Sequence, residues 1–292
     1  MDGELLRAVY HELFHTGKAR RPRRCEFADA VILFIYFLAV ASDRSPRWAH
    51  DRKHWPLWAR RLPRPSYSQL MRRLKTPSIK ARIIELNAAL RARLPRTPDK
   101  LVDGKPLTVG AYSKDPDARW GRHTNRSWAT GYKVHVLADS AGPIEAFVVT
   151  PLSTDEARMA RVMVRSLDLS GAIVRADASY DSSLLYGSVA RRGGRLIAPR
   201  RKPGRGLGTH YQHPDRLRAI ELLEGSDDEL RSHRQQRGRV EQLLAHLTNL
   251  PFGVAPLPNW VRRLHRVRAW IAAKICLYHL HLTVTLALRN AA

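Results

Sequence analysis

The hydrophobic periodicity of the chain changes at one short Pro-containing segment, Leu94-Pro95-Arg96-Thr97-Pro98. Before this segment the apolar residues recur with helical spacing, and after it they recur with period two in β-branched clusters. Strands are predicted over three successive ranges, Lys100–Val109, Gly131–Ala138 and Pro143–Thr150. The change predicts a small all-α N-terminal domain over residues 1–95 and an α/β domain over residues 96–292.

Helices and strands alternate in the next part of the α/β domain. Ser153 and Glu156 have the spacing of a capping box, which predicts a helix that ends near Leu167. The segment GAIVRA, residues 171–176, predicts a buried strand, and a helix over 182–191 and a short strand over 195–198 follow. The resulting order, β-β-β-α-β-α-β, predicts a mixed sheet flanked by helices.

A basic, glycine-rich segment, PRRKPGRGLGTHYQH over residues 199–213, opens an insertion near 199–225. It is either a loop that lies along phosphates or a solvated loop without a partner. From Ser226 the chain is predicted to be helical, and a last helix is predicted from about Asn259. The buried stripe of the first of these helices has i, i+3, i+4, i+7 spacing and comprises Val240, Leu243, Leu244 and Leu247.

Two apolar segments are candidates for a membrane span. The run from Phe27 to Ala41 has only about 15 residues and contains Asp29, so it is too short to cross a bilayer. The longer stretch from Ala269 to Leu288 is interrupted by Lys274, His279 and His281, which favours a core helix. We therefore expect no membrane role.

The charge of the chain is strongly unbalanced, with 51 Lys and Arg against 26 Asp and Glu, a formal net charge of +25. This excess predicts a polyanionic partner, above all nucleic acid, although a coding bias toward Arg would also contribute. Cys25 and Cys276 are far apart and match no metal-ligand or redox spacing, which is typical of a protein of a reducing compartment such as the cytoplasm.

Three carboxylates stand where a purely structural role explains them poorly. Asp103 interrupts the strand-like run LVDGKPLTV, and Asp177 directly follows the apolar strand GAIVRA. Glu241 adjoins the apolar stripe of its helix, with Arg237 one turn earlier. The structural alternatives are a helix N-cap for Asp177 and an ordinary intrahelical ion pair for Glu241.

If these three carboxylates converge, their charges conflict, and each would raise the pKa of the others. Two Mg²⁺ ions, for which Mn²⁺ could substitute, would remove the conflict, because hard cations prefer carboxylate and phosphate oxygens. A polyanionic substrate would also explain the basic surroundings. The sequence therefore predicts a two-metal phosphodiester site with Asp103, Asp177 and Glu241 as ligands.

Four segments together resemble one known family. They are LVDGKPL, GYKVHVLAD, RADASYDS and RGRVEQLLAHL, and they span roughly residues 95–290. In order and spacing they are similar to the ribonuclease-H-like catalytic core of the D-D-E transposases of bacterial insertion sequences. Arg237 and Glu241 match the R-x3-E part of the signature Y-x2-R-x3-E-x6-K, whereas Arg234 and Thr248 stand at its Tyr and Lys positions.

The resemblance implies a transposase that cleaves element ends and joins them to target DNA, with terminal inverted repeats recognised by the N-terminal helices. A homodimer on double-stranded DNA and a cytoplasmic, nucleoid-associated location are expected with it. Two alternatives remain: an inactive, transposase-derived DNA-binding protein, and a metal-dependent nuclease without strand transfer. The expected DNA contacts are Lys133, Arg200, Arg201, Lys202, Arg205 and Arg237.

Overall fold

The computed structural model describes residues 3–15, 26–110, 112–124, 126–207, 209–250, 253–254 and 256–291. Cys25 lies outside them. The helices are α1 (Gly3–Phe14), α2 (Asp29–Ala41), α3 (Pro46–His50), α4 (Tyr67–Arg73), α5 (Pro77–Arg91), α6 (Glu156–Val164), α7 (Ser183–Ala190), α8 (Pro214–Gly225), α9 (Asp227–Asn249) and α10 (Leu264–Ala291). The strands are β1 (Asp99–Thr108), β2 (Arg119–Thr124), β3 (Ser127–Asp139), β4 (Ile144–Pro151), β5 (Ile173–Arg175) and β6 (Arg195–Ile197).

The chain forms two compact units, one of residues 1–94 with 247–292 and one of residues 95–246. The first boundary lies within the Pro-containing segment, between Leu94 and Pro95. The C-terminal boundary differs, because the predicted α/β domain extended to residue 292, whereas α10 packs against α1, α2 and α5. A helix that is apolar on most of its surface buries itself wherever other apolar helices accept it, and its position in the sequence does not reveal where that is.

The secondary-structure elements described in the first unit are all helices. Every residue of α2 is buried, so this apolar run is a core helix. Ser66 and Gln69 form a capping box at the start of α4. Trp55 is buried in the core of this unit.

Helix α10 begins at Leu264, a few residues later than predicted, after Arg263 with a positive φ of 72°. Within the described residues it alone is long and apolar enough to cross a membrane, and half of its most apolar window is buried in the unit. Its polar residues have partners there. Lys274 pairs with Asp43 at 2.7 Å, and His279 Nδ1 lies 2.7 Å from Asn87 Oδ1.

The second unit contains a six-stranded mixed sheet of order β2-β3-β1-β5-β6, with β4 also paired to β3. The pairs of β3 with β1, β2 and β4 are antiparallel, and the pairs of β5 with β1 and β6 are parallel. A Cβ at Gly131 would lie 2.3 Å from the Leu107 carbonyl oxygen, so only Gly allows β1 and β3 to approach at this point. The predicted mixed α/β fold with a helical N-terminal region is confirmed.

Three local predictions for this unit need correction. Strand β2 was not predicted, because its sequence RWGRHT has neither β-branched residues in alternation nor an apolar face. Helix α6 is capped by Asp155, which accepts a hydrogen bond from the Arg158 N–H, so Ser153 forms no capping box with Glu156. The predicted insertion over 199–225 is a loop only as far as α8, which begins at Pro214.

Candidate active site

Asp103 and Asp177 lie at matching positions on neighbouring parallel strands. Leu101 of β1 pairs with Arg175 of β5, and each aspartate follows its paired residue by two positions. The shared register therefore brings the two carboxylates to the same level of the sheet, at the carboxyl end of β5, where α/β sheets commonly bind ligands. Asp177 Oδ1 also accepts a hydrogen bond from the Ser179 N–H at 2.8 Å, which fixes the turn after β5.

The pKa of Asp103 reflects both its burial and its closeness to Asp177. Burial raises its pKa from 3.8 to about 6, and the negative charges of Asp177 and Glu156 act in the same direction. The Gly104 N–H and the positive charge of Arg237 oppose the rise. A carboxylate so destabilised is suited to bind a cation, which would restore its ionised form.

A third acidic residue, Glu156 at the start of α6, joins this pair through the Ser179 hydroxyl. Glu156 Oε1 lies 2.5 Å from Lys133 Nζ, and its Oε2 lies 2.5 Å from Ser179 Oγ. Ser179 Oγ also lies 2.5 Å from Asp177 Oδ1. The chain Lys133–Glu156–Ser179–Asp177 is thus continuous, and it holds the Asp177 carboxylate from the side of β3 and α6.

The Lys133–Glu156 ion pair sits directly over the residue that follows Asp103. A Cβ at Gly104 would lie 3.0 Å from Lys133 Cδ and 3.3 Å from Glu156 Oε1. Burial alone would raise the pKa of Glu156, but the hydrogen bonds from Lys133 and Ser179 and the Lys133 charge lower it overall. Lys133, expected as a DNA contact, is therefore engaged within the protein, and its side chain is 11% exposed.

The sequence predicted only a capping role for Glu156, although Ser179 connects it to Asp177 in the structure. The available signal was its position shortly after β4, whose Thr150 pairs with Lys133. Tyr180 was also missed. Its hydroxyl is buried without a hydrogen-bond partner among the described residues, and burial first, then the charges of Glu156, Asp103 and Asp177, raise its pKa.

Helix α9 presents His233, Arg237 and Glu241 at intervals of four residues, along one stripe. His233 is buried, and its Nε2 lies 3.2 Å from the Ala176 carbonyl, directly before Asp177. Burial lowers the pKa of His233 to about 4, so the neutral ring donates this hydrogen bond. The contact anchors α9 beside the end of β5.

Arg237 and Glu241 form the predicted ion pair, with Nη2 and Oε1 3.1 Å apart. The charge of Arg237 acts on Asp103, and its buried Nε has no hydrogen-bond partner among the described residues. The Glu241 side chain is 66% exposed. In the part of the chain that the structure describes, no three His, Cys, Asp or Glu side chains assemble as a metal-binding group.

The structure thus brings together two of the three predicted metal ligands. Asp103 and Asp177 offer the oxygen donors that Mg²⁺ prefers, and the orphaned Tyr180 hydroxyl and Arg237 Nε adjoin them. This donor chemistry fits a divalent cation. Glu241 lies about 12 Å along the helix from the anchor at His233, at the rise of an α-helix, and points its charge to Arg237 and solvent.

The basic loop after β6 reaches the same segment. Arg201 Nη2 donates to the Ser179 carbonyl at 2.8 Å, and the Arg201 N–H donates to Asp181 Oδ2. Arg200 pairs with Glu224 at 2.8 Å. The remaining basic residues of the predicted set, Lys202 and Arg205, are exposed.

The site thus lies on a mixed sheet flanked by helices, with the aspartate pair at the carboxyl end of β5. The chain belongs to the family described as Transposase DDE domain, whose model matches residues 95–280. Members of this family generally use divalent metal ions. The predicted transposase resemblance is thereby confirmed.

Among solved structures, the chain is similar to a cryo-EM structure of the piggyBac transposase synaptic complex with hairpin DNA. The two share 12% sequence identity at a TM-score of 0.45, over 97% of this chain and 73% of that one. A likeness of this degree assigns no residue roles. No curated protein sequence matches the chain significantly.

Proposed function

We propose that this transposase cleaves DNA strands at the ends of a bacterial insertion sequence and transfers the freed 3′ ends into target DNA, using Mg²⁺. The observation that carries the proposal is the pairing of Asp103 with Asp177, in which burial and like charge raise the pKa of Asp103 to about 6. An uncompensated pair of this kind is costly unless a cation neutralises it. Two Mg²⁺ ions, or Mn²⁺ in their place, would supply activation of the attacking oxygen and stabilisation of the leaving oxygen.

The side chains of the site have separate tasks in this proposal. Asp103 and Asp177 bind the metal ions, and Ser179 holds Asp177 in orientation through its contact with Glu156. The partly exposed Arg237 guanidinium contacts a DNA phosphate while its Nη2 holds Glu241.

Glu241 is proposed as the third metal ligand on the strength of its motif, and Glu156 as a positioning residue. The Glu241 side chain is exposed and pairs with Arg237. It therefore has to leave solvent when metal and DNA bind. The ion pair of Glu156 with Lys133 keeps that carboxylate inside the network instead. The two assignments lead to different behaviour on substitution.

The test is cleavage of labelled element-end DNA in Mg²⁺ by Asp103→Asn, Asp177→Asn, Glu241→Gln and Glu156→Gln, with DNA binding measured in parallel. We expect the first three to abolish cleavage while DNA binding persists or strengthens, since each removes a metal ligand and a negative charge. Glu156→Gln should retain a reduced rate. Normal cleavage by Glu241→Gln with none by Glu156→Gln would reverse their roles.

Two alternative functions can be distinguished from a transposase by their reaction products. A pre-cleaved end incubated with target DNA yields joined product from a transposase and none from a nuclease that lacks strand transfer. A DNA-binding protein without catalysis would retain DNA binding and cleave nothing in Mg²⁺ or Mn²⁺. We propose that the active species is a homodimer on double-stranded DNA in the cytoplasm, associated with the nucleoid.

A further inference from the structure

Two tryptophans are exposed on the hairpin formed by β2 and the start of β3. Trp120 is 63% exposed and Trp128 is 58% exposed. The hairpin extends beyond the end of β1, because β1 pairs with β3 only from Gly131 onward. Large exposed aromatic side chains that lie close together commonly mark a binding surface, so we expect this surface to bind a partner.

Both tryptophans belong to one face of the hairpin. Trp128 lies directly opposite Arg122, and Trp120 lies directly opposite Thr130. Directly opposed residues of antiparallel strands share a face, and so do residues two apart along a strand. The opposite face is closed, since a Cβ at Gly121 would lie 2.8 Å from the Leu152 backbone. We name the open face, with Trp120, Arg122, Trp128 and Thr130, the tryptophan face.

The charge around the tryptophan face selects the kind of occupant. Arg119, Arg122 and Arg126 are exposed, and the sequence between Ala118 and Gly131 contains no acidic residue. Flat aromatic surfaces among arginines are complementary to nucleobases joined by phosphates. A second copy of this chain is a poorer match, because its own surface is dominated by 51 basic residues against 26 acidic ones.

The turn of the hairpin is held by side-chain hydrogen bonds. Thr124 Oγ1 lies 2.6 Å from Ser127 Oγ, and the Arg126 N–H donates to Thr124 Oγ1 at 3.3 Å. His123 Nδ1 lies 3.3 Å from the same Ser127 hydroxyl. The tryptophan face is therefore formed before a ligand arrives, which lowers the entropic cost of binding.

We propose that the tryptophan face binds a single DNA strand by stacking unpaired bases on Trp120 and Trp128, with phosphates on the flanking arginines. Bases within a duplex are already stacked on one another, so the face selects a strand whose bases are unpaired. The inference rests on the proposed function only in taking DNA as the polyanion. Such strands arise where an element end is opened during cleavage.

The test measures binding of full-length protein to a labelled oligothymidylate of about 12 nucleotides and to a duplex of equal length, by fluorescence anisotropy at fixed salt. Trp120→Ala and Trp128→Ala should each weaken single-strand binding at least about fivefold and change duplex binding less than about twofold. The Phe variants at both positions should retain binding within about threefold, because the ring still stacks, whereas the Leu variants should resemble Ala. Leu184→Ala, which removes an exposed apolar side chain from α7, is the control and should bind as wild type does.

The outcomes that overturn the proposal are distinct from a failure of the catalytic assignment. Unchanged single-strand affinity in the double Ala variant, or an equal loss for strand and duplex, removes stacking as the cause. A change in oligomeric mass by light scattering, without a change in single-strand affinity, would assign the face to self-association instead. Loss of cleavage in Asp103→Asn bears on neither result, since this variant leaves the hairpin intact.

Discussion

Replacement of Asp103 by Asn is expected to stabilise the metal-free protein at neutral pH. Burial and the neighbouring carboxylates raise the pKa of Asp103 from 3.8 to about 6. Below pH 3.8 the group is protonated in both folded and unfolded chains and contributes nothing. Between 3.8 and about 6 the unfolded chain loses its proton first, and above about 6 the folded protein carries the full cost of a buried charge.

The magnitude follows from the two pKa values. At about 1.4 kcal/mol for each tenfold change in proton affinity, the difference between 3.8 and about 6 corresponds to roughly 3 kcal/mol. Asn has nearly the shape of Asp, and its amide oxygen can accept the hydrogen bond that the Gly104 N–H donates to Asp103 Oδ1 at 2.7 Å. Asp103→Asn should therefore be up to about 3 kcal/mol more stable near neutral pH and close to wild type near pH 4.

Urea denaturation of both proteins in chelator across this pH range measures the difference. Glu221→Gln, which removes an exposed carboxylate from α8, is the matched control and should change stability little at any pH. Added Mg²⁺ should stabilise the wild type more than Asp103→Asn and so reduce the gap. An advantage of equal size at both ends of the pH range would refute a charge-based cause, and no advantage at neutral pH would refute the burial of an ionised carboxylate.

Three further predictions follow from the charged groups. DNA affinity should fall by roughly 10³ to 10⁵ between about 50 and 200 mM salt if about 6 to 10 phosphates are contacted, and a flat response would contradict a phosphate-binding surface. Arg216→Met should lower the free energy of unfolding by about 3 to 5 kcal/mol in urea titrations, because it removes the ion-pair partner of Asp181, whose side chain is 2% exposed. Equal stability of the variant and the wild type would show that this ion pair is dispensable. Lys202→Ala with Arg205→Ala should weaken cognate and unrelated duplexes equally in anisotropy titrations, and more than Arg200→Ala, whose guanidinium already pairs with Glu224; loss of sequence preference would mark these residues as base readers.

The sequence was informative where a residue's role depends on its own element. Asp103 stood out because Asp is unusual inside a strand, and Asp177 because it directly follows a short apolar strand. The structure gives the reason for both, since β1 and β5 are parallel neighbours in register. The buried stripe that Glu241 adjoins was also predictable from the sequence, as Val240 and Leu247 are buried.

Contacts between different helices and strands could not be predicted from the sequence in the same way. Glu156 meets Lys133 and Ser179 because α6 begins near β3 and the end of β5, and no local spacing encodes that meeting. The interaction of Arg201 with the Ser179 carbonyl likewise depends on the return of a long loop. Strand β2 escaped prediction because its buried position is Gly121 and the other residues of RWGRHT are exposed, so the sequence shows no apolar alternation.

The common register of β1 and β5 determines where this chain can accept added residues. An extra residue between Leu101 and Asp103, or between Arg175 and Asp177, would turn one carboxylate toward the other face of the sheet. A surface turn outside the paired residues of the strands carries no such restriction, since lengthening a surface loop costs little. Related chains are free to differ in the segments that join the strands, and a tag or reporter domain belongs in such a turn, where the spacing of the two aspartates is left untouched.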